Sequence, residues 1–207
     1  MKGKLLTIAL TGIIALNQGC TTKKEEKTEV PVTTEVEAGA LKIVSDSTKV
    51  SWTAYKTTEK IGVGGSFTEI TLNDTKTGTS PEAILEGATF SIPVSSLFTD
   101  NDDRDSKLKE FFFGVLKNKE LISGTLNFSE GKCLLTIKLN DVEKQIPVTH
   151  EFIDNRFSIN STIDLVDFGA EGAVASINKA CYDLHKGADG VSKTWNEVAI
   201  SGSVLFE

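Results

Sequence analysis

The sequence is short of the residues and motifs that most catalytic and metal centres need. Its 207 residues include three cysteines, two histidines and one methionine. No HExxH motif and no paired CxxC motifs occur, so a zinc site is not expected. No GxSxG, GxGxxG or Walker-type motif occurs either, which leaves hydrolase and nucleotide chemistry without a nucleophile or a phosphate cradle. We therefore expect no catalytic residues, no metal and no cofactor.

Basic residues are also scarce. The chain has 22 lysines and arginines against 29 aspartates and glutamates, which gives a net charge of −7. Such a surface repels phosphate backbones, so nucleic acid is not an expected partner. With 39% hydrophobic and 7% aromatic residues, the composition is otherwise that of an ordinary globular protein. The length allows one large all-β domain or two small domains.

Long hydrophobic runs are missing except at the N-terminus. Residues 5–16 form a largely apolar run that follows Lys2 and Lys4. These residues would form about 18 Å of helix, whereas a bilayer core is about 30 Å thick. The pattern is therefore typical of a signal peptide, here residues 1–19, rather than of a membrane-spanning helix.

Cys20 follows Gly19 at the end of this run, and the arrangement resembles the lipobox of bacterial lipoproteins. The resemblance implies cleavage before Cys20, a diacylglyceryl group on its sulfur and an acyl chain such as palmitate on its new amine. Several acyl chains together anchor a protein stably. We expect an outer-membrane lipoprotein of the bacterial cell envelope, periplasmic or surface-exposed. The alternative is an ordinary secretory signal with an incidental cysteine.

Residues 20–40, which begin with the acylated cysteine, are predicted to form a flexible linker. They are rich in threonine, glutamate, lysine and valine and have no usable apolar periodicity, so they cannot offset the entropy lost on ordering. About twenty such residues reach roughly 25 Å. Lys24, Glu25 and Glu26 resemble the acidic surface-export signal of some bacterial lipoproteins, although linker solubility explains them equally well.

Residues 41–207 alternate between apolar and polar side chains. In residues 49–55, for example, Val50, Trp52 and Ala54 share one face. Alternation of this kind predicts strands over residues 49–55, 62–73, 88–94, 121–128, 132–139, 142–152, 156–165 and 197–206. About eight short strands with tight turns between them favour an antiparallel all-β fold that closes into a barrel and so removes its own edges.

One helix is predicted between the strands, over residues 102–113. Asp102 and Asp103 suit its N-terminal cap and macrodipole, while Leu108 and Phe112 share one face with Phe111. One or two short helices of this kind would cap the barrel.

The acidic run at residues 100–105 superficially suggests a calcium loop. Arg104, Asp105 and Phe111 occupy positions where an EF-hand needs other residues. A solvated helix start with an ion pair of Arg104 is therefore the preferred interpretation.

Several motifs beyond residue 41 carry a family resemblance. They are VSWTAYK at 50–56 with GGSF at 64–67, IPVSSL at 92–97 leading to Arg104-Asp105 and Phe111-Phe112-Phe113, LTI at 135–137 with IPV at 146–148, and VDFG at 166–169. Together they resemble the YceI-like family of lipocalin-like, polyisoprenoid-binding periplasmic proteins over residues 41–207. The stretches 183–187 and 194–197 resemble a lipoprotein subgroup. Family members often carry histidine about where Ser47 and Lys56 stand.

The resemblance implies an eight-stranded lipocalin-like barrel that encloses a long-chain amphiphile, either a polyisoprenoid or a fatty-acid-like lipid, without converting it. Related barrels often pair, so a homodimer stays open. The expected ligand contacts are Trp52, Tyr55, Phe67, Phe90, Ile92, Leu108, Phe112, Phe113, Phe128, Leu135, Ile137, Val148, His150, Phe152, Phe157 and Ile159, most of which have the inward strand phase or lie at the helix. His185 lies in a polar loop and is expected to be exposed.

Three alternatives stay open at the level of sequence. A barrel of this size is either filled by its own side chains or holds one small ligand. A filled barrel would make the protein a structural or interaction lipoprotein of the envelope. An enzyme would need a titratable cluster inside, for which Cys133 and His150 are the candidates. Cys133 and Cys181 are interpreted as free thiols, with a disulfide between them as the alternative.

Overall fold

The structure, a computed structural model, describes residues 39–207 and shows ten β-strands and three α-helices there. The strands are β1 (Lys49–Lys56), β2 (Ile61–Phe67), β3 (Thr71–Asn73), β4 (Thr89–Pro93), β5 (Leu97–Phe98), β6 (Leu121–Ser129), β7 (Lys132–Leu139), β8 (Val142–Ile153), β9 (Arg156–Asp164) and β10 (Thr194–Leu205). The helices are α1 (Pro81–Leu85), α2 (Asp102–Phe111) and α3 (Glu171–Ala180). The predicted signal peptide, Cys20 and nearly all of the predicted linker lie outside the described residues.

All ten strands belong to one antiparallel sheet, in the order β3-β4-β6-β7-β8-β9-β10-β1-β2-β5. The stretch from 89 to 98 brings the two ends of this order together, because β4 pairs with β6 while β5 pairs with β2. A 3₁₀ turn at Val94–Ser96 separates the two strands. The sheet therefore curls round on itself, and the predicted all-β, antiparallel, lipocalin-like fold is confirmed.

The predicted number of eight strands is wrong, since the sheet has ten. The predicted strand at 62–73 is two strands, β2 and β3, because the chain turns away after Phe67. At that turn the backbone N–H of Thr68 donates to the carbonyl of Ser96 over 2.9 Å. The other extra strand, β5, has two residues. So short a strand has no alternation that a sequence pattern could detect.

Three hairpins in succession connect β6 to β9 through two-residue turns. Both central residues of each turn have positive φ, as at Asn140 (55°) and Asp141 (61°). Turns of this type match the twist of antiparallel strands and favour asparagine, aspartate and glycine. The Asn140 side chain also accepts a hydrogen bond from the Lys117 N–H (2.8 Å) and donates to the carbonyl oxygens of Phe168 and Gly169 (2.9 and 3.0 Å). Asn140 thereby fixes the chain that leads into α3.

Large inward aromatic side chains lie across from glycines in the neighbouring strand. Trp52 in β1 is paired with Gly65 in β2, and a Cβ at Gly65 would overlap the indole ring. Phe90 in β4 is paired with Gly124 in β6, where a Cβ would fall 2.6 Å from the Phe90 ring. Each aromatic ring therefore lies flat along the wall because the opposite residue has no side chain.

Helix α2 begins at Asp102, as predicted, and ends two residues before the end of the predicted range 102–113. Its N-cap is Asn101, whose side-chain oxygen accepts from the Arg104 N–H over 2.8 Å. The two aspartates predicted to cap the helix lie in its first turn, where they still oppose the macrodipole. The helix ends at Phe111, and a 3₁₀ turn at Phe113–Val115 follows.

The structure has three helices where one or two were expected. Helix α1 follows the N-cap Ser80, whose hydroxyl accepts from the Ala83 N–H (3.2 Å), and it buries Pro81, Ile84 and Leu85. Helix α3 buries Ala173, Val174 and Ile177. Neither helix was predicted, since α1 is very short and α3 is rich in alanine and glycine, which give weak apolar contrast.

Among the described residues, no helix combines the length and hydrophobicity that a bilayer crossing requires.

Candidate functional site

A cavity of about 530 Å³ lies inside the curled sheet, with lining side chains from the strands and from α2 and α3. Small-molecule pockets usually measure about 300–1,000 Å³, so this one is large enough for a ligand. Most of the lining is apolar, because the inward positions of the alternating strands are filled by valine, leucine, isoleucine and phenylalanine. The cavity is therefore an apolar space that the barrel leaves unfilled.

Most of the residues expected to contact a ligand do line this cavity. They are Trp52, Tyr55, Phe67, Phe90, Ile92, Leu108, Phe112, Phe113, Leu135, Ile137, Val148, Phe157 and Ile159. Other lining residues of the same strand phase, such as Val50, Val198 and Ile200, were not predicted, and neither were the helical residues Val174 and Ile177. The helical pair was missed together with α3. Whether any of these residues binds a ligand stays a prediction.

Phe128, His150 and Phe152, also expected to contact a ligand, do not line the cavity. Phe128 and His150 stack with Phe157, with ring centroids 6.0 and 5.7 Å from it. We call Phe128, His150 and Phe157 the aromatic end. Since His150 Nε2 also lies 3.9 Å from Glu82 Oε1, its ring is held among protein groups.

Phe152 lies outside the cavity for a different reason. Its ring packs edge-on against Phe206 at 5.9 Å and the residue is 39% exposed. It is the second-last residue of β8, directly before the hairpin to β9. Strand phase alone gives the face of a residue but not its height along the barrel.

Two of the three consecutive phenylalanines bring α2 to the cavity. Phe112 and Phe113 line it and meet edge to face with centroids 5.0 Å apart, whereas Phe111 does not line it. Leu108, one turn before Phe112 on α2, lines it as well. The helix therefore covers part of the cavity with an apolar face. This agrees with the prediction that the helix caps the barrel.

Polar and charged side chains line the cavity where β1 ends. Lys56 is paired with Thr194, the first residue of β10, and Arg104 and Lys107 come from α2. We call Lys56, Arg104 and Lys107 the basic rim. The side chain of Lys107 is 30% exposed and that of its ion-pair partner Asp103, which also lines the cavity, is 73% exposed. The cavity therefore reaches solvent at the basic rim, which sequence analysis did not identify.

His185 lies beside the basic rim, and the expectation that it is exposed is wrong. It is partly buried and lines the cavity, with Nδ1 2.7 Å from the Thr194 hydroxyl. That hydroxyl donates to Asn178 Oδ1 over 2.9 Å, so it accepts the Nδ1 proton of His185. Burial, and then the nearby Lys56 charge, lower the pKa of His185 below 6.5. The ring is therefore neutral at neutral pH.

The acidic run at 100–105 forms a helix start, as preferred over a calcium loop, but Arg104 makes no ion pair with another described residue. Its guanidinium reaches the Thr99 carbonyl at 3.5 Å, and the ion pair of this helix joins Lys107 Nζ to Asp103 Oδ2 over 2.6 Å. Within residues 39–207, no group of three or more His, Cys, Asp or Glu side chains is placed to hold a metal ion.

Cys133 and Cys181 are both buried free thiols, so the disulfide alternative is wrong. Burial, with the charges of Glu82 and Glu86, raises the pKa of Cys133 to about 11. Its thiol is then protonated at neutral pH and is a poor nucleophile. The pKa of Cys181, which lines the cavity, is also raised by burial.

A sequence model of the YceI-like domain matches residues 41–205. No curated protein matches the chain.

Two solved structures have similar folds. A polyisoprenoid-binding domain from Saccharophagus degradans, implicated in plant cell wall breakdown, superposes with a TM-score of 0.57 and 12% sequence identity, over 82% of this chain and 98% of that one. BcnA from Burkholderia cenocepacia superposes with a TM-score of 0.53 and 14% identity, over 79% of this chain and 98% of the other. At these identities the likeness establishes the fold.

Proposed function

This chain belongs to the YceI-like domain family, and from that membership and its cavity we propose that it binds the hydrocarbon tail of a long-chain amphiphile without converting it. The tail is of polyisoprenoid or fatty-acid type. The observation that carries the proposal is the apolar cavity of about 530 Å³ inside the sheet. The polyisoprenoid-binding domain with the same fold supports it.

The physical basis is the hydrophobic effect. Each methylene transferred from water into an apolar site contributes about 0.8 kcal/mol. Fifteen buried carbons would contribute roughly 12 kcal/mol before the costs of ordering the tail and immobilising the ligand. Binding of this kind needs shape and apolar surface, and it requires no catalytic group.

The volume of the cavity also helps to decide between this proposal and the alternative, a filled barrel that acts only as an interaction module. A barrel filled by its own side chains would leave less than the roughly 300 Å³ that a small-molecule pocket needs. The cavity exceeds that volume, which favours the carrier or sequestering role.

The test is to purify the full chain and extract it with organic solvent, with native mass spectrometry on a second portion. We expect a non-covalently bound long-chain species at close to one per protein, released when the protein unfolds. A protein that carries no such species and takes up no added long-chain lipid would contradict the proposal.

We further propose that Cys20 carries an acyl anchor, so that the barrel works at a bacterial envelope membrane. The support is the lipobox-like sequence around Cys20 and the linker-like composition that follows it. Labelling of growing cells with a palmitate analogue tests this. The wild-type chain should incorporate label and Cys20→Ser should not, whereas label on both would contradict the assignment.

A further inference from the structure

The charged side chains that line the cavity have the opposite sign to the protein as a whole. Lys49, Lys56, Arg104 and Lys107 line it, against a single carboxylate, Asp103, among the described lining residues. The whole chain has 29 acidic and 22 basic residues. Lys49 starts β1 and Lys56 ends it, while Arg104 and Lys107 come from α2. An apolar cavity in an acidic protein thus ends at a group of positive charges.

The two rim lysines keep unused hydrogen-bond donors. Among residues 39–207, Lys56 Nζ makes one hydrogen bond, to the carbonyl oxygen of Leu184 over 3.0 Å. Within the same part of the chain, Lys107 Nζ makes one, to Asp103 over 2.6 Å. An ammonium group has three donors, so each lysine can bind a further acceptor. Because the Asp103 side chain is 73% exposed, its ion pair with Lys107 is solvated and can exchange for another anion.

Both rim lysines act on the same point of the cavity wall. Cys181 lies there, and Lys107 and Lys56 each lower the pKa of its thiol against the larger effect of burial, while Asp103 raises it. Neutral His185 stands beside Lys56 and adds no charge, with its Nδ1 proton already donated to Thr194. The two lysines therefore create a positive potential at the place where the apolar lining ends.

We propose that the basic rim binds the anionic head group of the amphiphile whose tail occupies the cavity, so that carboxylate- or phosphate-headed lipids bind in preference to neutral ones. This inference rests on the proposed function, because it needs the tail to lie in the cavity. A charged head next to ammonium groups makes hydrogen bonds roughly twice as strong as those of a neutral hydroxyl. The rim would thereby fix both the identity and the direction of the bound lipid.

The experiment is displacement of N-phenyl-1-naphthylamine, an uncharged fluorescent probe, from the delipidated full chain. The competitors form two pairs with matched tails, oleate with oleyl alcohol and geranylgeranyl phosphate with geranylgeraniol, all kept below micelle-forming concentrations. We expect at least one anion to displace the probe at about tenfold lower concentration than its matched alcohol. High salt should reduce this ratio, since the rim is partly exposed.

Two charge-matched double variants locate the effect. Lys56→Gln with Lys107→Gln removes the rim lysines. Lys60→Gln with Lys109→Gln removes one lysine from the turn after β1 and one from α2, and neither of these lines the cavity. The first pair should bring the anion-to-alcohol ratio close to one, and the second should leave it near tenfold. If the first double variant unfolds by circular dichroism, Lys107→Gln alone should give about a threefold ratio.

The outcomes separate the two proposals. Equal displacement by anion and alcohol in the wild type, or an unchanged ratio without the rim lysines, would overturn the head-group inference and leave the proposed function standing. A chain that takes up neither the probe nor any competitor would overturn both. A preference for oleate alone, or for the phosphate alone, supports the inference and identifies the head group.

Discussion

The two ends of the barrel differ in what their side chains do. At the aromatic end, Phe128, His150 and Phe157 stack with ring centroids 5.7–6.0 Å apart and point at one another. At the basic rim, Lys56 and Lys107 each make one polar contact and line an open space. The same sheet therefore uses one end for packing and leaves the other end open towards solvent.

The two histidines show this difference most clearly. His150 follows the strand phase, yet it packs against Phe157 and does not line the cavity. His185 comes from a polar stretch after α3, yet it lines the cavity next to the rim. Inward strand phase therefore predicts that a side chain is buried. Whether that side chain also lines the cavity depends on how the ends of the barrel are covered.

The largest expected effect is on stability at the aromatic end. Phe157 is 2% exposed and packs against Phe128 and His150, so Phe157→Ala should lower the free energy of unfolding by about 3–5 kcal/mol. Phe112→Ala, on partly buried α2, should cost much less. Urea denaturation of the two variants measures the difference. Equal losses would mean that the helix is as essential to the core as the aromatic end.

The second prediction compares the two thiols. Cys133 is fully buried with a pKa of about 11, whereas Cys181 lines the cavity. Because only the thiolate reacts, N-ethylmaleimide should modify Cys181 at least about tenfold faster than Cys133 near pH 8. Peptide mass spectrometry after alkylation gives both rates, with urea-unfolded protein as the control in which both react. A bound lipid should slow Cys181 only, and faster labelling of Cys133 would contradict the assignment.

The third prediction concerns ligand retention at α2. Phe112→Asp places a carboxylate in the apolar lining, so the amount of co-purified or added long-chain lipid should fall at least about tenfold. Phe111→Asp is the matched control, because Phe111 is the neighbouring residue of the same type and does not line the cavity. Native mass spectrometry measures retention. Similar losses in both variants would remove the role of Phe112 in lining the binding site.

Much of the fold was predictable because it follows from a local period. Strands β7 and β8 were placed within one residue of their bounds, since their inward residues Leu135, Ile137, Ile146 and Val148 repeat strictly every second position. Helix α3 was not predicted, because alanine and glycine in residues 171–180 give weak apolar contrast, and its position depends on contacts far away in sequence.

The basic rim could not be predicted for a related reason. Lys56 and Lys107 are 51 positions apart, and each is an ordinary lysine of an exposed-looking segment. They line one cavity only because α2 crosses the barrel near the end of β1, which no local pattern encodes. At the aromatic end the prediction failed for a different reason. Strand phase placed Phe128 and His150 on the inward face but gave no height along the barrel, and neither residue lines the cavity.

The smallest expected effect is a pH dependence that belongs to the rim. Burial and then Lys56 lower the pKa of His185 below 6.5, so between these two pKa values the unfolded chain binds more protons than the folded one. Stability contributed by neutral His185 is therefore fully present above pH 6.5 and is lost as the pH falls towards the folded pKa. Thermal unfolding between about pH 7.5 and 5 measures the loss. His185→Gln should flatten this slope, and Lys56→Met should reduce it because the neighbouring charge is gone, whereas Lys60→Met should retain it. Carboxylates such as Glu197 titrate at lower pH. An unchanged slope in His185→Gln would therefore mean that the acid sensitivity arises elsewhere than at the rim.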